Sequence, residues 1–390
     1  MDRRPQCIVL IDALGWRLAE AYGFLAGRLP YRRAVRSILG FSSGAIPTLL
    51  TGMTPAQHGR WNLLYRDPQH SPFRRLRGLR HLPDWSVNHR AGRKLMQWLG
   101  RQVFAAGPGF DCAVSPRLLA WFAWAEPRHL YALDGMPQAA FFFRRLQDAG
   151  RSWRVYSYAA GQDAALLTQL EKDLRERRAE IYFLYLCKLD HLLHEHLGKN
   201  EPVIAAALEF YAQRLDRLAG MGAKLTVISD HGMAPVQGTV NTALPRGWRM
   251  PDDLLAVADA TMFRCWYSHR EARREMEAAM REWPHGRLLA PAVLEAEGLG
   301  FCDSRYGESL WLADPGWMIA ETGFHRHWQP AGMHGYHPDD ADSDAVWLSE
   351  TAPAASPDNL QQVYGGLCEL AGLQAQAEAA ASVQNSREAK

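Results

Sequence analysis

The sequence lacks any marked excess of charge of one sign. Its 44 lysines and arginines stand against 42 aspartates and glutamates, a formal net charge of +2. A general nucleic-acid surface needs a basic excess to replace phosphate counterions, so that class of partner is not expected. One small phosphate-bearing substrate in a local site remains compatible. Long hydrophobic runs are also missing. No run approaches the roughly 20 apolar residues of a spanning helix, and no membrane span is expected. Near the N-terminus only four strongly apolar residues stand together, Ile8 to Ile11, too few for a signal-peptide core. Paired cysteines are absent as well: Cys7, Cys112, Cys187, Cys265, Cys302 and Cys368 are scattered and form no CxxC. Scattered thiols without a leader lead to the expectation of a reduced, cytoplasmic protein. No internal repeat is visible.

What is present is a chain of 390 residues, 47% apolar, long enough for a sizeable core. Residues 7–11 form a short apolar run that stops at Asp12 and read as a buried strand. A helical pattern follows through Leu18, Ala19 and Tyr22, and residues 43–51 open another helix ending near Gly52. Further along, helices over 136–149, 164–177 and 201–218 alternate with strands over 153–158, 181–187 and 224–229. Strands separated by single helices predict an α/β fold whose mostly parallel central sheet has helices on both faces. Two segments break the alternation. Residues 60–130, rich in Arg, Trp and Pro, read as an irregular insertion that caps the site or covers the sheet. Residues 234–320 read as a second insertion, with strand-like pieces at 260–267 and 309–313 and a helix over 270–283. One catalytic domain over 1–373 is expected. The tail at 374–390, short of large apolar residues, is expected to be disordered.

Fifteen histidines are present, several beside aspartates. Asp12 follows a strand end, where open α/β sheets place ligand sites. Asp190 and His194 follow the strand 181–187 and share a face if that stretch is helical. Asp230-His231-Gly232 follows the strand 224–229. His334 stands between Met333 and Gly335, and glycine lets backbone approach a ligand closely. Ser42-Ser43-Gly44 opens a helix whose first N–H groups suit an anion. Each feature has an ordinary reading too: a turn former, a surface ion pair, a helix cap. Their joint occurrence after strands and glycine turns is the informative observation. Three carboxylates and three imidazoles serve two divalent ions, with zinc the first choice for this oxygen and nitrogen set and manganese the rival. A serine hydroxyl beside such ions becomes a nucleophile near neutral pH, and two cations offset the charge on a transferring phosphoryl group.

These segments resemble the alkaline phosphatase superfamily, and within it the type I phosphodiesterase / nucleotide pyrophosphatase branch. The resemblance rests on Asp12 after the first strand and on the block from Ser42 to Gly52 with Pro55 and His58-Gly59. Asp190-x-x-x-His194 with Gly198, Ser229-Asp230-His231-Gly232-Met233 and Gly332-x-His334-Gly335-Tyr336 complete it. It implies that Asp190, His194 and His334 hold one ion, and that Asp12, Asp230, His231 and the nucleophile hold the other. The family nucleophile falls on Ser42, with Ser43 the alternative if the loop shifts by one. The implied activity is hydrolysis of phosphodiesters or nucleotide-type pyrophosphates through a phospho-serine. A phosphomonoesterase, a phosphonate hydrolase, a phosphoryl transferase and a non-catalytic binding protein are the alternatives on this scaffold.

The sequence departs from the branch in one respect. Many members carry an asparagine shortly after the nucleophile to hold a phosphate oxygen, whereas Gly44-Ala45-Ile46 stands here; Asn62 is the substitute. No sulfatase Cys/Ser-x-Pro-x-Arg motif surrounds Ser42. Ser43, Trp61, Asn62 and Tyr336 are the expected substrate contacts, and Trp16 and Trp61 are placed at the leaving-group pocket. His191, His196, His325, His327, His337 and Lys188 lie near the motifs as secondary candidates. The clusters Arg74-Arg75 and Arg144-Arg145 read as solvated faces.

Overall fold

Strand β1, Gln6–Ile11, runs through the middle of a six-stranded sheet. The other strands are β2 (Tyr31–Val35), β3 (Trp153–Tyr156), β4 (Ile181–Leu186), β5 (Lys224–Ile228) and β6 (Ala345–Ser349). Their order across the sheet is β2-β6-β5-β1-β4-β3. β1 pairs in parallel with β4 and β5, and β3 pairs in parallel with β4. β6 is antiparallel to both β5 and β2. The computed structural model describes residues 4–107, 109–321 and 329–373. His325, His327 and the tail at 374–390 lie outside them.

The apolar runs of β1 and β4 follow from burial on both faces. Ile8, Leu10 and Phe183 face one core, shared with helices Ser42–Thr51, Phe142–Asp148 and Leu360–Leu370. Val9, Ile11, Tyr182 and Leu184 face the other, shared with helices Asp163–Arg175, Lys188–His196 and Glu201–Gly220. The alternation is the two-residue period of a strand.

Several element boundaries differ from the sequence expectation. The helix expected from 136 begins only at Phe142, and the strand-like piece at 260–267 is the second arm of a hairpin, Leu254–Asp259 with Met262–Tyr267. No element is expected from the sequence at β2, β6 or the helix Leu360–Leu370, although β6 is a short buried apolar run, Ala-Val-Trp-Leu-Ser, and the helix has an Asn359 cap with Leu360, Val363 and Leu367 at helical spacing. β2 reads Tyr-Arg-Arg-Ala-Val, an edge strand with two arginines, of which Arg33 is exposed.

Residues 254–313 contribute a second, antiparallel sheet of four strands, in which Ser309–Ala313 pairs with both Met262–Tyr267 and Gly286–Leu288. The stretch 60–130 holds a two-stranded antiparallel ladder (Leu64–Arg66 with Phe122–Trp124) whose strands flank the helix Arg90–Gln102 in sequence. It packs on the second sheet: Phe73, Phe110 and Trp124 share a cluster with Leu255, Val257 and Trp266. Among the described residues, no helix is long and apolar enough to cross a membrane.

Candidate active site

The three central parallel strands end on the same side of the sheet. Ile11 is level with Leu186 of β4, and Leu10 with Ile228 of β5. Asp12, Asp190 and the pair Asp230-His231 therefore leave neighbouring strand ends within a few residues of each other, the position where open α/β sheets bind ligands. His334 comes from a distant segment, held by the pairing of Gly332–Met333 with Ala234–Pro235. Gly232 is required beside His231, since a Cβ there would stand 2.1 Å from the carbonyl oxygen of Asp342. Gly335 has φ +89° and packs against the ring of Phe41, which leaves no room for a side chain.

Two sets of ligand atoms converge, each within 4.8 Å: Asp12, Asp230 and His231 in one, Asp190, His231 and His334 in the other. His231 belongs to both. Its ring stacks on that of His334 at 3.9 Å between centroids and 10° between planes. Its Nδ1 donates to the Gly232 carbonyl at 2.9 Å, which leaves the Nε2 lone pair facing the carboxylates, 3.4 Å from Asp12 Oδ1 and 3.3 Å from Asp230 Oδ2. His194 is held the same way: Nδ1 donates to Gly332 O at 2.8 Å, and Nε2 lies 3.3 Å from Asp190 Oδ1. His334 Nε2 lies 3.7 Å from that same oxygen.

Electrostatics set these groups apart. Burial pushes the Asp12 carboxyl well up, and Asp230 and Asp190 push it further; the Tyr185 hydroxyl, donating to Asp12 Oδ2, acts in the opposite sense. Burial also raises Asp190, but His194, His334 and His231 outweigh it and hold that carboxyl low. Burial, then the neighbouring His231, drives His334 well below the usual imidazole range and keeps it neutral. Asp12 Oδ1 and Asp230 Oδ2 are buried and accept no hydrogen bond. Buried carboxylates crowded in this way require compensating positive charge. Oxygen and imidazole donors in two adjoining sets fit divalent ions of the zinc or manganese type.

Ser42 is the first residue of the helix Ser42–Thr51, and its Oγ lies 2.9 Å from His231 Nε2. The Ser43 hydroxyl is turned away, donating to Trp61 O at 3.0 Å. Behind the helix, Thr48 Oγ1 lies 3.0 Å from the Nε2 of buried His58 and donates to Gly44 O at 2.9 Å. The cavity over Ser42 has a volume of about 440 Å³. Asp12, Asp190, His194, His334, Ser43 and Asn62 line it, together with Ile46, Leu63, Glu126, Leu130, Tyr131, Tyr158, Tyr185 and Asp259.

Two expected substrate contacts fall elsewhere. Trp61 is buried in the core; its Nε1 donates to Leu39 O at 2.6 Å, and its ring meets Tyr306 edge-on. Tyr336 is buried in the cluster beneath the second sheet. Trp61 fills the space left by Gly40 with its ring and that left by Gly44 with its backbone. Trp16 packs on the opposite core. His191 is exposed, 3.5 Å from Glu195, and His337 lies near Glu297 and Asp339. Conversely, Glu126, Tyr131, Tyr158 and Asp259 line the cavity from the two insertions and the end of β3, where no motif marks them. Tyr185 carries a faint signal: it and Tyr182 are the two hydroxyls in an otherwise apolar strand, and Tyr185 is the one nearer the strand's C-terminal end.

The sequence pattern of the type I phosphodiesterase / nucleotide pyrophosphatase family matches residues 42–337. The chain belongs to this family. Asp12 lies outside the matched span and is brought to the site by β1. Among solved structures, human ectonucleotide pyrophosphatase/phosphodiesterase 5 superposes with a TM-score of 0.66 at 15% identity, covering 96% of each chain. The murine protein of the same name gives 0.66 at 15% identity over 98% of each chain. An inactive variant of the murine protein in complex with AMP gives 0.64 at 15% identity, covering 98% of this chain and 99% of that one. No curated protein matches the sequence. The likeness to these structures is one of fold, and the fold is the expected alkaline-phosphatase-like one. Family membership makes this chain a phosphodiesterase/pyrophosphatase-type enzyme.

Proposed function

We propose that the chain hydrolyses phosphodiesters or nucleotide-type pyrophosphates with Ser42 as nucleophile and two divalent ions as cofactors. Asp12, Asp230, His231 and Ser42 would hold one ion, and Asp190, His194 and His334 the other. When bound, such ions supply positive charge for the transferring phosphoryl group and ease deprotonation of a coordinated oxygen. Ser42 Oγ attacks phosphorus in line with the leaving oxygen: the Oγ–P bond forms, and the P–O bond breaks with its electron pair going to the leaving group. Water then cleaves the Oγ–P bond and restores Ser42. The Asn62 Oδ1 accepts from the Leu63 N–H at 2.7 Å, and its buried NH₂ group faces the Asp259 carboxylate at the cavity wall, so Asn62 would reach a phosphate oxygen only by turning from Asp259. The first-turn N–H groups of helix Ser42–Thr51 favour the same anion.

The observation that carries the reading is the 2.9 Å approach of Ser42 Oγ to His231 within the two converging ligand sets. A second observation favours diesters over monoesters. No lysine or arginine is among the described residues lining the cavity, and Glu126 and Asp259 are. A monoester dianion needs one more compensating charge than a diester monoanion, and a diester's second substituent fits against Leu130, Tyr131 and Tyr158. The scattered thiols support a cytoplasmic site of action. The test is turnover of a bis-aryl and a mono-aryl phosphate by metal-replete protein. Faster diester hydrolysis supports the reading, and a strong monoester preference removes the diesterase assignment.

A further inference from the structure

The near-neutral chain conceals one strongly asymmetric stretch. From Arg74 to Val103 there are eight arginines and lysines and a single acid, Asp84. That leaves +7 in this stretch and −5 in the remaining sequence, from the chain total of +2. The same stretch holds Leu82, Trp85, Leu95, Trp98 and Val103, five of the nine exposed large apolar side chains among the described residues. Trp85 is 80% exposed and Trp98 56%.

The helix Arg90–Gln102 shows how this arises. Its inner face is anchored: Gly100 is buried against Phe110, and Met96 packs on the cluster containing Phe73. Ala91, Lys94, Leu95, Trp98, Arg101 and Gln102 recur at three- and four-residue spacing and are all exposed. A helix on a water-facing surface carries polar residues on its outer side. Here the outer side alternates cations with Leu95 and Trp98. The preceding turn is tied to it, because Arg93 Nε donates to Asn88 Oδ1 at 2.8 Å, and Trp85 stands on that turn.

We propose that residues 74–103 are a docking patch for an anionic lipid bilayer surface. Trp85, Leu95 and Trp98 enter the headgroup region, and Arg90 and Lys94 meet lipid phosphates. Exposed indoles and aliphatics among cations, with almost no acid, are the combination an interfacial helix uses. A nucleic-acid surface has use for the cations but none for exposed Leu82 and Val103. The patch would hold the enzyme at a membrane without a spanning segment, and it is independent of the catalytic reading above.

The test is flotation of the full chain with vesicles of phosphatidylcholine alone, or with about one-third phosphatidylserine. The expected result is binding to the anionic vesicles only, weakened by high salt. Trp85→Ser/Trp98→Ser and, separately, Arg90→Glu/Lys94→Glu should each reduce it about tenfold or more. Both variants should keep the melting temperature and the hydrolysis of a soluble diester. The proposal is overturned by absence of flotation with either vesicle, or by variants that float as well as the parent. It is equally overturned if the patch variants abolish self-association or RNA binding of a chain that ignores vesicles.

Discussion

Ser42 Oγ lies 2.9 Å from Nε2 of His231, although 189 positions separate the two residues. The contact brings the start of one helix to the end of β5, and it decides which of two adjacent serines faces the ligand sets. Ser43 Oγ instead donates to a backbone carbonyl. Ser42→Ala is therefore expected to lower turnover of a bis-aryl phosphate by about 10³-fold or more. Ser43→Ala should stay within about tenfold of the parent. Rates measured at matched metal content check both, and the reverse ranking would place the nucleophile on Ser43.

Removing divalent ions should abolish activity and lower the melting temperature, because Asp12, Asp190 and Asp230 would then crowd one another uncompensated. Stabilisation by a ligand at about a thousand times its Kd is about 4 kcal/mol. Calorimetry before and after chelation, followed by addition of zinc or manganese, measures it. An unchanged melting temperature would show that these carboxylates hold no ion.

Tyr185 donates to Asp12 Oδ2 and leaves Oδ1 for a ligand. Tyr185→Phe removes that donor with little change of shape. Loss of a partner of this kind weakens metal affinity by about 10- to 100-fold. Competition with a chromogenic chelator gives the number, and retention of full affinity would show that Asp12 is oriented by its strand alone.

His58 offers a pH test behind the nucleophile helix. Burial, then the nearby Arg60 charge, lowers its pKa from 6.5 to about 3. Its Nδ1 accepts the Arg60 N–H at 3.2 Å, so the neutral ring is the one that fits. In the unfolded chain the ring takes a proton near 6.5, whereas the folded ring resists until about 3. The unfolded state thus binds the extra proton between these values, and stability is lost as pH falls through that window. Denaturant unfolding of His58→Gln should show a flatter loss from pH 6.5 to 3 than the parent, from a lower starting stability. Parallel pH profiles would contradict the buried neutral ring.

How much of this was legible in the sequence depended on local signals. Asp12, Asp230 and His231 each follow an apolar run, and Asp190 and His194 sit a helical turn apart, so the strand ends and their ligands could be read together. The central sheet was legible for the same reason: a strand buried on both faces is an uninterrupted apolar run. β2 was not, because an edge strand interrupted by Arg32 and Arg33 has no such pattern. Trp61 misled, because an indole beside Gly40 and Gly44 has one sequence whether it fills the core or lines a pocket; packing against Tyr306 decides. Glu126 and Tyr131 were invisible because the capping segment has no periodicity, and Tyr131 reaches the cavity only by stacking on Tyr185 and packing on Phe183 of β4. Arg74-Arg75 read as solvent-facing charge, and only the fold shows that Trp85 and Trp98 of the same stretch stand exposed.

The most direct measurement is mass spectrometry of metal-replete enzyme, acid-quenched during turnover of a bis-aryl phosphate and digested. The account predicts an aryl-phosphate adduct on the peptide containing Ser42, localised to that residue and absent from Ser42→Ala. Rapid turnover with no adduct at Ser42, or with the adduct on another residue, would contradict it.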